Sequence, residues 1–159
     1  MAILKMEVRG VKELERKLMT MPSIVAKKVV RKSVRKGAKI IHAETKSTAL
    51  SMVGGEMGRK IASAIVIKTA PRAQQRPGSY SITTQVNPNK SDQFVDVSKS
   101  GVRNYIPAAI EYGHIKANGG HVPAIAFART AFGNKERTAR QVIEADICRG
   151  IEIEASKPA

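Results

Sequence analysis

Tryptophan is absent from this chain, cysteine occurs once, aromatics make up only 4%, and the 13 acids are outnumbered by 28 Lys and Arg. Each shortage excludes something. With Cys148 as the single thiol there is no intrachain disulfide and no multi-cysteine zinc site. Set among apolar-periodic residues, Cys148 reads as a small buried hydrophobe. So few aromatics leave the core to Ile, Val, Ala and Met. No run approaches about 18 uncharged apolar residues, so no transmembrane helix is expected. Residues 1–10, MAILKMEVRG, are too short and too charged for a signal-peptide core. The chain therefore reads as an intracellular product without a membrane partner. Its 159 residues, 42% of them hydrophobic, suit one folded domain over 1–159.

Recognisable chemistry is also scarce. The imidazoles are His42, His114 and His121. The last two flank one loop, but no carboxylate or thiolate cluster joins them, so they read as solvated or capping residues rather than metal ligands. Nucleophilic catalysis needs a nucleophile, a base and an orienting group, and no Ser lies in a GxSxG elbow. Gly54-Gly55 lacks the GK[ST] of a phosphate loop, and no GxGxxG occurs. Glu111 is the one acid of interest, and its surroundings read as a turn. The expectation is no catalytic residue, no cofactor, no metal and no enzyme.

Charge, by contrast, is abundant and uneven. The formal net charge is +15; residues 1–80 hold 18 Lys/Arg against 5 Asp/Glu, residues 81–159 only 10 against 8. That asymmetry suggests a polyanionic neighbour. Much of it falls on a helix expected over 23–48. At 100° per residue Ala26, Val30, Ser33, Gly37, Ile40 and Ile41 gather on one face. Lys28, Lys32, Arg35 and Lys39 line the opposite one, flanked by Arg31 and Lys36. Four cations along about 16 Å of helix suit a phosphate backbone or an acidic partner. No aromatics are interleaved, which disfavours stacking on single-stranded bases.

Elsewhere the pattern predicts a short amphipathic helix over 10–19 (Val11, Leu14, Leu18), punctuated by Pro22. Gly54, Gly55 and Gly58 make 49–60 a mobile loop. Residues 61–69 are β-branched and read as a strand, or as a short helix running into one. Residues 71–80 form a second mobile, Pro/Gly-rich connection. Strands follow over 80–86 and 94–97. Residues 102–112 are either a helix interrupted near Pro107 or a strand followed by a short helix, and 114–120 are loop. Helical periodicity returns from Pro123, with Ile125, Ala128, Phe132, Ala139, Ile143 and Ile147 on one face, a break or kink at Gly133-Asn134, and a frayed tail over 154–159. This order indicates an α+β fold, a small antiparallel sheet packed by a long N-terminal helix and a C-terminal helix.

Three short motifs resemble the tailed-bacteriophage neck family of tail-completion, or head–tail joining, proteins. Gly10-Val11-Lys12-Glu13-Leu14 with Leu18, Pro22 and a long basic helix ending at Ala43-Glu44-Thr45-Lys46 is similar to the family's opening layout. Tyr105 through Glu111-Tyr112-Gly113 is similar to its Tyr … Glu-Phe-Gly-Thr turn. Phe127-Ala128-Arg129-Thr130-Ala131-Phe132 is similar to its Pro-Phe-x-Arg-Pro-Ala helix start. Tyr112 stands where the family has Phe, His114 where it has Thr, Thr130 where Pro is common, and Pro123 lies farther from Phe127 than in the usual Pro-Phe pair.

The resemblance implies a tail-terminator-like fold and a virion structural protein made in the host cytoplasm. It implies a homo-oligomeric ring, hexameric with a dodecamer as the alternative, seated between head connector or stopper and tail terminator or tube proteins, with double-stranded DNA passing through the lumen. Glu111, Tyr112, Gly113, Phe127, Arg129 and Phe132 are then joint or interface residues, with Arg129 a partner for Glu111. A free basic nucleic-acid-binding protein, nucleoid- or ribosome-associated, is the alternative reading.

Overall fold

The computed structural model describes residues 2–7, 19, 23–70, 80–87, 92–98, 101–116 and 118–156. The expected helix over 10–19 (Met19 apart), Pro22, the connection over 71–79 and the last residues, 157–159, lie outside the described residues. What is described is a mixed fold of α-helices and small antiparallel sheets.

Helix α1, Ser23–Thr48, is one apolar-periodic run without proline. Ser33, Val34, Gly37, Ala38, Ile41, Thr45 and Thr48 are buried. Of the face expected to turn inward, Ser33, Gly37 and Ile41 do so, while Ala26, Val30 and Ile40 are only half-buried. The helix is rotated to bring Val34 and Ala38 into the core instead. The Thr45 hydroxyl donates to Ile41 O at 2.7 Å, satisfying its polar atom within the helix. The backbone then widens into a π-helical turn, Ala49–Val53, and Gly54 at φ +68° redirects it. Helix α2, Gly55–Ala64, follows directly and runs into strand β2, Ile65–Thr69.

Residues 49–60 are therefore helical rather than a loop. The glycines that suggested a loop serve other ends. Gly54 and Gly55 adopt positive φ between two helices, where a side chain would be strained. Gly58 lies so close to the π turn that a Cβ there would sit 2.7 Å from Ala49 O.

Strand β1, Ala2–Glu7, pairs antiparallel with β3, Ser81–Val86, and β2 pairs with the other edge of β3, giving the order β1-β3-β2. The strand at 2–7 was not anticipated. Its six residues acquire strand geometry from β3, about 80 positions away, which no local pattern announces. Ile82, Thr84 and Val86 point inward from β3. Ile82 joins Val34, Ala38, Ile143 and Ile147 in one apolar cluster; Val86 joins Ala49, Ile61, Ile65, Phe94 and Phe127 in a second. One strand face thus spans both cores.

A short ladder, β4 (Val95–Val97) with β5 (Arg103–Tyr105), leads into α3, Ile106–Tyr112, with Pro107 in its first turn. Of the two readings left open for 102–112, strand then helix is the one adopted. Two further short strands, β6 (His114–Ile115) and β7 (His121–Val122), pair antiparallel as a small hairpin. Helix α4, Phe127–Ala155, then runs antiparallel to α1 along most of its length.

Reciprocal notches bring α1 and α4 together. A Cβ on Gly37 would lie 2.5 Å from the Ile143 side chain, and one on Gly150 would lie 2.6 Å from Val29 Cγ1. Helices in such contact approach toward the low end of the usual 8–10 Å axial separation. Polar contacts set the register. Ser33 Oγ donates to Asp146 Oδ2 at 2.9 Å, Lys36 pairs with Asp146 Oδ1, and Asn134 Nδ2 donates to Glu44 Oε1 at 3.1 Å.

These contacts explain two further departures. Gly133-Asn134 does not break α4, because Asn134 and Lys135 engage Glu44 of α1 and packing outweighs the roughly 1 kcal/mol propensity cost of glycine. The helix begins at Phe127 rather than Pro123 and stays helical to Ala155, Ser156 N donating to Glu152 O. Cys148 is exposed. Ile143 and Ile147 take the inward positions, and the next residue turns 100° away from them.

Candidate functional site

The first turn of α4 begins at Ala126, which has no side-chain cap of its own. An α-helix leaves its first N–H groups without partners, and here they are met from a distance. Phe127 N donates to Ile125 O at 2.6 Å. Ala128 N donates to Glu111 Oε2 at 2.8 Å and Arg129 N to Glu111 Oε1 at 3.2 Å. The Glu111 carboxylate, 0% exposed, thus takes the place of an N-cap side chain, at the helix end that favours negative charge.

Arg129 closes over this carboxylate. Its Nε lies 3.1 Å from Glu111 Oε1, its Nη2 donates to the Glu111 main-chain O at 2.8 Å, and its guanidinium sits 5.2 Å from the Tyr112 ring centroid. Its side chain remains 53% exposed, so only one member of the pair is buried. Gly113, at φ +72°, turns the chain out of α3; a Cβ there would stand 2.6 Å from Val122 O. Phe127 is buried in the core. Five of the six residues singled out for the turn therefore form one joint between α3 and α4. Phe132, half-buried more than a turn farther on, takes no part in its hydrogen bonds.

Lys28, Lys32, Arg35 and Lys39 are all exposed on the outward face of α1. The flanking cations are spoken for, Lys36 by Asp146 and Arg31 by the Tyr80 ring, 5.6 Å from its centroid. Lys36's hydrogen bond, with that of Ser33 and the charges of Lys36 and Lys32, holds the Asp146 carboxyl below the usual carboxylate range, against the burial that would raise it. Glu44, the acid of α1, faces Lys135 and Asn134. Lys28, Arg35 and Lys39 make no ion pair among the described residues.

Sequence reasoning passed over Asp146, which anchors both α1 and α4, and His42, whose Nε2 lies 3.0 Å from Ile65 O. An acid or imidazole on a helix face announces no partner until the second element is in place. Among the described residues no group of three or more His, Cys, Asp or Glu is placed to hold a metal ion, and no helix is long and apolar enough to cross a membrane. His114 and His121 lie diagonally across the β6–β7 hairpin, both exposed. Compared with protein-family models, curated proteins and solved structures, the chain matches none.

Proposed function

We propose that this chain is a structural protein of the phage neck or tail, which completes the tail and joins it to the head as a ring around the DNA passage. One observation carries the reading. Two of the three motifs that resemble the neck family, 105–113 and 127–132, come together as a single mechanical unit. The buried Glu111 of one motif caps the helix opened by the other, and Arg129 returns to Glu111 and Tyr112. Residues that serve only as spacers would have no reason to converge in this way. A joint built from backbone caps and one half-exposed ion pair ties α3 to the start of α4, and a subunit that must close a ring through heterologous contacts has use for elements held in place in this way.

On this reading the ring is hexameric, with twelve subunits as the alternative, in a tail-terminator-like fold. It sits in the virion between head connector or stopper proteins and tail terminator or tube proteins. Its basic helix either lines the lumen or meets an acidic neighbouring ring. Disrupting the gene in its phage is the direct test: DNA-filled heads and unattached tails are expected. Intact virions from the disrupted phage, together with purified protein that stays monomeric at every concentration, would sink the proposal.

The second reading, a free basic nucleic-acid-binding protein associated with nucleoid or ribosome, is favoured by Lys28, Arg35 and Lys39 of α1, which make no ion pair among the described residues, and by the net charge of +15. Virion composition separates the two, because a free binder is absent from purified particles.

A further inference from the structure

We infer that the outward face of α1 binds the phosphate backbone of double-stranded nucleic acid, through Lys28, Lys32, Arg35, Lys39 and Lys46. The four leading cations follow one another at intervals of four, three and four residues. After His42 the same rhythm arrives at Lys46, which is half-buried on the same side. At 100° per residue the five fall within an arc of about 60°, over about 27 Å of helix.

This face is also held rigid. On one flank α1 is locked to α4 at Gly37 and Ser33, and on another it packs on the sheet through Val34 and Ala38. The charges therefore stand on a preorganised rod, and binding orders side chains without ordering backbone.

Nothing within the described structure neutralises the seam. Apart from the attraction between Lys32 and Asp146, which Lys36 already engages, none of these five cations has an acidic partner there. The composition of the face then selects the ligand. A protein partner would want an apolar or aromatic centre in the interface, and between the cations the face offers only the half-buried His42, whose ring is held against Ile65 O, with Ala43 and Ser47 at its margin, both small. The same poverty of apolar side chains gives a bilayer nothing to bury. Single strands would want exposed rings for stacking; Tyr80 lies beneath Arg31, and Tyr112 belongs to the α3–α4 joint.

A duplex needs none of these. Neighbouring cations of the leading four step by about 4.5–6 Å along the helix, and each strand of a duplex brings a phosphate about every 3.4 Å of axis, so every cation can meet one. Four of the five are lysines, point charges without the planar fork that reads base edges in pairs. Binding is accordingly indifferent to sequence.

Fluorescence anisotropy with labelled duplexes of two unrelated sequences, titrated at several salt concentrations, tests the inference. With four to five phosphates neutralised, the slope of log K against log salt is about −4, so affinity falls at least 100-fold between 50 and 200 mM salt, equally for both duplexes. The combined variant K28Q/K32Q/R35Q/K39Q removes exposed charges, should melt as the wild type does, and should bring the slope to about −1. Removing equal charge elsewhere, in K60Q/R137Q/R140Q/R149Q, should leave binding within about twofold. Equal losses in the two variants would mean bulk charge rather than a site. Displacement of the duplex by polyglutamate at equal charge would assign the face to an acidic protein. Absence of duplex binding in low salt would end the idea. The inference stands apart from the neck reading: ring formation and head–tail joining are read by other assays and can fail while duplex binding persists.

Discussion

Replacing Glu111 with alanine tests the joint most sharply, because a cap ranks the variants and a symmetric ion pair does not. The carboxylate accepts from Ala128 N, Arg129 N and Arg129 Nε. Losing a cap costs about 1–2 kcal/mol. Ala128 is 0% exposed, so its N–H would be left without an acceptor, and an unsatisfied buried donor costs about 1–3 kcal/mol. Arg129 is half-exposed and returns to water, so the lost ion pair adds under about 1 kcal/mol. Allowing for overlap between these effects, Glu111→Ala should cost about 3–4 kcal/mol, a large part of the 5–15 kcal/mol stability usual for a domain.

Arg129→Ala is the contrasting variant. It leaves the carboxylate with two N–H donors at the positive end of a helix, so about 1–2 kcal/mol is expected. A symmetric buried salt bridge would instead cost about 3–5 kcal/mol whichever partner was removed. Urea unfolding followed by far-UV circular dichroism measures both variants; with no tryptophan in the chain, indole fluorescence offers no signal. Should Arg129→Ala prove as costly as Glu111→Ala, or should Glu111→Ala stay within about 1 kcal/mol of wild type, the capping account is wrong.

Gly37→Ala sets a propensity gain of about 1 kcal/mol against a Cβ placed 2.5 Å from Ile143 and 3.0 Å from Ala139 O. Overpacking costs about 1–3 kcal/mol, so a net loss of about 1 kcal/mol is expected, and a rise in melting temperature would show that the helices can part freely. Asp146 has its folded pKa lowered; its contribution is therefore fully present above the ordinary carboxylate pKa of about 3.9 and is lost as pH falls through the lower folded value. The stability gap between wild type and Asp146→Asn should accordingly be constant from pH 7 to about 5 and narrow below about 4, as read from urea midpoints at each pH. Cys148, being exposed, should react fully with a thiol reagent in native buffer; protection until denaturant is added would contradict its placement on α4.

How much of this could be read in the chain depended on how far apart the interacting parts lie. α1 was legible to its termini, because 26 residues carry an unbroken apolar period and its basic face needs no partner to be recognised. Strand β3 showed its alternation at Ile82, Thr84 and Val86. What stayed hidden required a second element. Glycine is locally a loop signal, yet Gly58 is small because Ala49 O lies against it, and Gly37 because Ile143 does. Strand β1 exists through β3. Cys148 was assigned to the core by a period that Ala128, Ala139, Ile143 and Ile147 fulfil without it.

The joint shows the same rule from the other side. Glu111 and Arg129 invited pairing on charge alone, and they do meet at 3.1 Å. Charge gave no hint that the carboxylate's main bonds are to backbone N–H groups of a helix beginning sixteen residues later. That difference decides which residue matters more. Were the ion pair the purpose, a lysine at 129 would keep much of it. With the cap as the purpose, the acid must stay, while the cation is needed chiefly to bind the Glu111 main-chain oxygen and cover the Tyr112 ring. Arg129→Lys, which lacks the fork to reach oxygen and ring together, should therefore lose most of what Arg129→Ala loses, and Glu111→Gln, which retains an acceptor without the charge, should fall between Arg129→Ala and Glu111→Ala. Near-complete rescue by lysine in the same urea assay would return the joint to simple charge pairing.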